Sequence, residues 1–191
     1  MAPKTGSPRS VFLGLLLVLC LGLGALPQAV DASAKRAGAF LVPTGNQAGF
    51  GAFREGPHAA ARLRRALGPP TEMKASAFGG CRMTWERIGV AAELDAPGNA
   101  KDPCRAGTFA FARLTNPRWH TTSGVHPGGS RAEAEAASLL RCHADTPACG
   151  ATGYALELYR DCSGHLFTGV LAHPRGNRIA ALNVYGRATC K

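Results

Sequence analysis

Six cysteines, Cys81, Cys104, Cys142, Cys149, Cys162 and Cys190, lie downstream of an uncharged apolar run, Val11–Leu26, and that combination constrains the fold more than any other feature. The run follows Lys4 and Arg9 and precedes Ala32-Ser33-Ala34, small residues of the kind a signal peptidase reads. Residues 1–34 therefore read as an export signal, cut after Ala32 or Ala34. An uncleaved anchor helix is the competing reading, but a span needs about 20 apolar residues, and this run is shorter and Gly-rich. Loss of the signal removes Cys20 and leaves an even number of cysteines in an exported chain. That pattern reads as three disulfides rather than as a metal site. No two of the six have Cys-x-x-Cys spacing. The expected location is secreted, with no membrane span after signal removal.

The remaining Lys35–Lys191 suits one compact domain, large enough to bury roughly 70% of its unfolded surface. The full chain has a formal net charge of +10, which becomes +9 without Lys4, Arg9 and Asp31. Only 18% of residues are charged and 46% are hydrophobic, which excludes an acidic disordered chain.

Residues 35–48, rich in Ala, Gly and Pro, read as a flexible tail. One order of elements then occurs twice, in units spanning 49–120 and 121–191. In the first, a Gly-rich entry leads to a helix over Pro57–Leu67, with Ala60, Leu63 and Leu67 on one face. Strand patterns follow over 82–86, 90–94 and 108–114, the last placing Phe109, Phe111 and Arg113 opposite Ala110, Ala112 and Leu114. In the second, Ser130 and Glu133 form an S-x-x-E capping box opening a helix over Ser130–Leu140. Its apolar stripe is Ala132, Ala136, Leu139 and Leu140. Strands follow over 154–159, 165–173 and 178–185, the first with Tyr154, Leu156 and Leu158 on one face and the last two joined by a turn at Pro174–Asn177. Gly56 and Gly128, Leu67 and Leu139, and Arg82 and Tyr154 are each 72 residues apart. The expected fold class is α+β: two tandem units, each a helix followed by a three-stranded antiparallel meander, stabilised by disulfides. In such a meander Cys81 can reach Cys104 and Cys162 can reach Cys190, while Cys142 and Cys149 close a small loop.

A helix and meander repeated in an exported chain resembles the β-lactamase inhibitor proteins and the single-unit BamE (SmpA) outer-membrane assembly domains. The residues carrying the resemblance are Gly56–Gly68 and Gly128-Gly129-Ser130 to Leu140, with His58 standing where the second half has Ser130. Trp119–Gly128 is similar to a W-x-T-x-x-G-V-x-x-G segment of exported actinobacterial proteins. The resemblance implies architecture and a binding or inhibitory role. No position matches the inhibitors' contact residues.

Motifs for chemistry are sparse. The six histidines have neither H-E-x-x-H nor zinc-finger spacing, and no G-x-S-x-G elbow, phosphate loop or dinucleotide fingerprint occurs. No metal or cofactor is expected. Positive charge is the remaining signal. It is denser in 49–120, which has 11 basic and 6 acidic residues, than in 121–191, which has 7 and 5. Arg62, Arg64 and Arg65 on the first helix, with Trp119 between Arg118 and His120, are the candidate binding residues. Packing at the junction of the halves is the alternative role for Trp119. The expected function is non-catalytic binding, with an unknown protein or an anionic envelope polymer as partner. No aromatic-basic interleaving marks specific nucleic-acid recognition. The competing readings are an extracellular hydrolase with a dispersed active site and a basic structural component of the cell envelope.

Overall fold

The computed structural model describes residues 40–43, 48–76, 79–143, 145–147, 149 and 151–187. The expected signal, Cys20, Cys190 and most of the expected tail lie outside these residues. Among the described residues twelve strands form: β1 Leu41–Val42, β2 Gly49–Phe50, β3 Phe53–Arg54, β4 Glu72–Ala75, β5 Cys81–Trp85, β6 Val90–Asp95, β7 Thr108–Leu114, β8 His120–Thr121, β9 Leu140–Cys142, β10 Gly153–Arg160, β11 Leu166–Arg175 and β12 Arg178–Tyr185. The described helices are α1 Ala59–Leu67, α2 Pro103–Ala106 and α3 Arg131–Ala137, with a 3-10 turn at Glu86–Ile88.

The two expected three-stranded units do not form. Eight strands join in one antiparallel sheet of order β4-β5-β6-β7-β12-β11-β10-β9, so the described chain is mostly β. The strands expected to close each meander, β7 and β12, pair with each other from Leu182↔Leu114 to Tyr185↔Phe111. The physical reason is edge satisfaction: two separate meanders would each leave a long strand with unpaired amides and carbonyls. Each half also adds a strand at an outer edge, β4 and β9, too short for its alternation to announce it. Every residue of β4 is exposed.

Helices α1 and α3 cover one face of this sheet. The main core runs continuously across both halves, from Leu63, Met83, Trp85 and Leu94 through Leu114 to Leu182, Ile179 and Tyr154. Helix α1 begins at Ala59 rather than Pro57, because His58 takes a left-handed backbone (φ 58°) at its N-cap. It buries Ala59, Ala60 and Leu63. Helix α3 carries the expected capping box, with the Ser130 hydroxyl accepting from the Glu133 amide and the Glu133 carboxylate accepting from the Ser130 amide. It ends at Ala137, three residues early, since Leu140–Cys142 pairs with β10 instead. Its buried residue is Ala134, and the expected stripe residue Leu139 is 65% exposed.

The expected tail is docked where it is described. Leu41 and Val42 pair in parallel with His120 and Thr121, and Val42 is buried. Trp119 is fully buried beneath this pair, which removes it from any contact surface and gives it the junction role. Its Nε1 donates to the Ile88 carbonyl at 2.7 Å, and its ring meets Phe40 and Phe50 edge-on at 4.9 and 5.6 Å. Phe50 and Phe53 continue the cluster to Phe109.

Two of the expected disulfides are present. Cys81–Cys104 fastens α2 to β5 on the helix-covered side, and Cys142–Cys149 closes a short loop after β9. Cys162 is disulfide-bonded; its expected partner, Cys190, lies outside the described residues.

Trp119 joins β1, β2 and the 3-10 turn in one packed cluster. Trp119→Ala is therefore expected to lower unfolding free energy by about 3–5 kcal/mol, the usual cost of truncating a buried large aromatic. Guanidinium denaturation with disulfides intact measures this, and an unchanged midpoint contradicts the packing role.

Candidate functional site

Among the described residues, the opposite face of the sheet carries no helix. Register places its residues in two rows. One runs Lys74, Arg82, Glu93, Phe111, Tyr185 across β4, β5, β6, β7 and β12. The other runs Glu72, Thr84, Ala91, Arg113, Asn183, Leu171, Ala155, Leu140 across all eight strands. From Leu171 outward the second row is covered. Cys142, Cys149, Ala155 and Leu171 form a small separate core, packed by Leu140, Ala151, Leu158 and Tyr185. The uncovered strip is thus centred on β6, β7 and β12.

Two β-bulges decide which side chains reach this face. A register shift between Glu93 and Leu94 pairs Phe109 with Leu94 and Phe111 with Glu93. Strict alternation expects Phe109, Phe111 and Arg113 to share a face. Instead Phe109 joins the main core, while Phe111 and Arg113 are only partly buried on the other side. Shifts around Glu157 in β10 act similarly: Tyr154 and Leu156 enter the main core and Leu158 packs with the small one. An extra residue turns the following side chains to the opposite face.

Phe111 and Tyr185 lie side by side, ring centroids 6.2 Å apart. Arg82 and Glu93 form an ion pair at 3.4 Å in the same row. Asn183, opposite Arg113, is buried; its amide donates to the Tyr185 hydroxyl at 3.4 Å, and its Oδ1 has no partner among the described residues. Next to Tyr185 is a hollow of about 220 Å³ walled by Tyr159, Phe167, Pro147 and Cys149. Tyr159 and Phe167 stack at 6.0 Å, and Leu166 and Phe167 are unusually exposed for apolar residues.

Charged groups fix one wall of this hollow. The Tyr159 hydroxyl donates to the Gly186 carbonyl at 3.0 Å, and the Arg187 guanidinium lies 5.1 Å from the Tyr159 ring centre. That guanidinium is ion-paired with the buried Glu157. The Arg187 amide donates to both carboxylate oxygens of Glu55, at 3.1 and 2.9 Å. Burial pushes the Glu55 carboxyl above the ordinary glutamate range, partly opposed by the Arg187 amide and then by its charge. Burial, and next the Glu55 charge, raise the Tyr159 phenol too, so it stays neutral.

The arginines singled out from the sequence do not gather here. They lie on α1, on the other side of the sheet, and they diverge. Arg62 turns back so that its Nε donates to the Pro57 carbonyl at 3.0 Å. Arg65 is exposed, and Arg64 lines a separate cleft between α1, β4 and α2. Phe111, Tyr185, Tyr159 and Phe167 were not singled out. The available signal was an aromatic in each of the strands β7, β10, β11 and β12; their convergence depends on the β7–β12 pairing.

No group of three or more His, Cys, Asp or Glu side chains among the described residues is placed to hold a metal ion. No described helix is long and apolar enough to cross a membrane. Comparison with protein-family models, curated proteins and solved structures gives no match to this chain.

The raised Glu55 carboxyl yields a pH dependence. The folded state holds this proton more tightly than the unfolded chain, so the group's contribution to stability falls as pH rises through the raised folded value. Wild-type stability minus that of Glu55→Gln is expected to decline over the interval from the ordinary glutamate range to the raised folded value. Denaturation midpoints of both proteins from pH 4 to 7 measure it, and a difference growing with pH contradicts it.

Proposed function

We propose that this chain is an exported, disulfide-stapled binding protein that engages a protein partner through the uncovered strip of its sheet and turns over no substrate. The observation that carries the reading is the Phe111–Tyr185 pair, set beside an aromatic-walled hollow and flanked by Arg113 and the Arg82–Glu93 pair. Partly exposed aromatic and arginine side chains are the residues that anchor protein interfaces, and surrounding charges set register and partner choice. Their backbone positions are held in central strands, so little ordering cost remains to be met on binding. The hollow fits one apolar side chain of the partner. Two disulfides are compatible with an oxidising compartment. The resemblance to inhibitors makes an extracellular enzyme the class of partner to test first.

The test is capture from the native extracellular milieu on immobilised, disulfide-intact protein, followed by affinity measurement with the captured protein. Phe111→Ala combined with Tyr185→Ala is expected to weaken binding by at least about 30-fold, the size of a two-residue hot spot. Undiminished binding by the double variant contradicts the reading, as does turnover of ester, peptide or glycoside substrates by the wild type.

A further inference from the structure

On the helix-covered side, far from the aromatic strip in register, two clefts meet. One, of about 580 Å³, lies between α1, β4 and α2 and is lined by Arg64 and Arg105. The other, of about 620 Å³, continues past the start of α2 to Lys101. His58, Asp102 and Arg105 belong to both, so the two form one continuous trough. Three cations of the helix-covered side line it: Arg64, Lys101 and Arg105. Lys74 borders it from β4, but its side chain stands in the row with Arg82 and Glu93 on the opposite face. Asp102 is its one acidic lining residue.

The charge is unspent. Asp102 caps α2, its Oδ1 accepting from the Arg105 amide at 3.1 Å, which occupies one oxygen of the carboxylate that lines the trough. Arg64, Lys101 and Arg105 have no side-chain hydrogen bond or ion pair among the described residues. The floor is rigid, because Cys104 of α2 is bonded to the buried Cys81 of β5. Helix α1 opens into the trough through Ala60 and Ala61, with no acidic residue in its first turn. Its positive end adds to the same field.

We propose that this trough binds a linear poly(phosphodiester) chain. Cations placed along an elongated groove, rather than around one point, suit successive phosphates. Arginine in particular matches phosphate oxygens. No Phe, Tyr or Trp lines the trough. A groove that binds single-stranded nucleic acid normally offers aromatic faces for its bases. The lining therefore favours a polymer of phosphate and polyol over one carrying bases. This site is independent of the aromatic strip.

The probe is a fluorescently labelled poly(glycerol phosphate) of about ten units, titrated at low salt with disulfide-intact protein. Arg64→Glu combined with Arg105→Glu is expected to weaken binding at least tenfold and to flatten its salt dependence by about one to two units of log K per log salt. Arg87→Glu with Arg175→Glu makes the same change in net charge at exposed positions outside the trough. It is expected to weaken binding less than threefold. Phe111→Ala with Tyr185→Ala is expected to leave it intact. The glutamine pair, Arg64→Gln with Arg105→Gln, replaces the glutamate pair if circular dichroism shows that the latter is unfolded. Equal losses in the two charge variants overturn the proposal in favour of unspecific attraction. A decamer of deoxythymidylate bound equally well, with the same dependence on Arg64 and Arg105, overturns the choice of polymer. Equal competition by orthophosphate at matched phosphate concentration overturns the linear-chain reading, and absence of binding overturns the site.

Discussion

The pairing of β7 with β12 is the interaction on which the rest of this structure depends. It aligns Phe111–Leu114 with Leu182–Tyr185 and turns two four-stranded sets into one eight-stranded sheet. Leu114 faces Val90 on one side and Leu182 on the other, so the centre of the core is built across this seam. Without it, both strands would present unpaired backbone and the apolar faces of the two halves would each end in water. With it, only the short β4 and β9 remain as edges of the large sheet. Short edges limit unwanted pairing with other chains.

The same seam creates the asymmetry from which both proposed sites arise. Each half fastens a segment beside its strands with a disulfide, but on opposite faces of the sheet. Cys81 belongs to the main core beneath α1, and its bond pulls α2 against the helix-covered side. Cys142 and Cys149 belong to the small core on the other face. The first bond therefore floors a trough between α1, β4 and α2. The second covers the outer part of the helix-free face and leaves the strip around Phe111 and Tyr185 open. If both loops had folded to one side, one of these surfaces would be covered.

What was legible beforehand follows from how local each signal is. The strand Arg178–Tyr185 and the strand Thr108–Leu114 could be read from alternation and turn residues, and both occur with those bounds. The Ser130–Glu133 cap could be read because a capping box is contained in four residues. The Cys81–Cys104 and Cys142–Cys149 bonds followed from strand order. The joining of the halves could not be read, since a strand pattern does not state its neighbour. The bulges at Ala110 and Glu157 could not be read either, because one extra residue is defined only against a partner strand. They account for Phe109 entering the core while Phe111 leaves it. β4 and β9 alternate over only four and three residues, too short a run to mark a strand, and each is an edge strand defined by its pairing. Trp119 was ambiguous for a different reason. Its neighbours Arg118 and His120 suggest a surface, and the buried ring is explained only by the docking of Phe40–Val42 over it. Of the candidate binding residues, Arg64 lines a cleft; successive helix residues point about 100° apart, so Arg62 and Arg65 leave α1 in other directions.

The basic surplus takes its meaning from where the acids are engaged. Glu133 caps α3 and Asp102 caps α2. Glu55 and Glu157 hold Arg187 from two sides. Asp161 accepts from the amides of Ser163 and His165 in the turn before β11, which holds its carboxyl below the usual range once burial is overcome. Glu93 pairs with Arg82 on the helix-free face. Carboxylates are thus drawn to helix starts, to a turn and to the Arg187 clamp, while no comparable local demand draws in Arg64 of α1 or Arg105 of α2. A chain with few charged residues that uses its acids in this way leaves its positive charge unbalanced, and it does so most in 49–120, where the excess is larger from the start. Random substitution toward arginine would scatter that excess over the surface. Here Arg64 and Arg105 come from different elements, 41 positions apart in the chain, and face a common cleft with their guanidinium groups unpaired among the described residues. Like charges brought together by a rigid fold oppose that fold slightly, and an anion bound between them converts the repulsion into attraction.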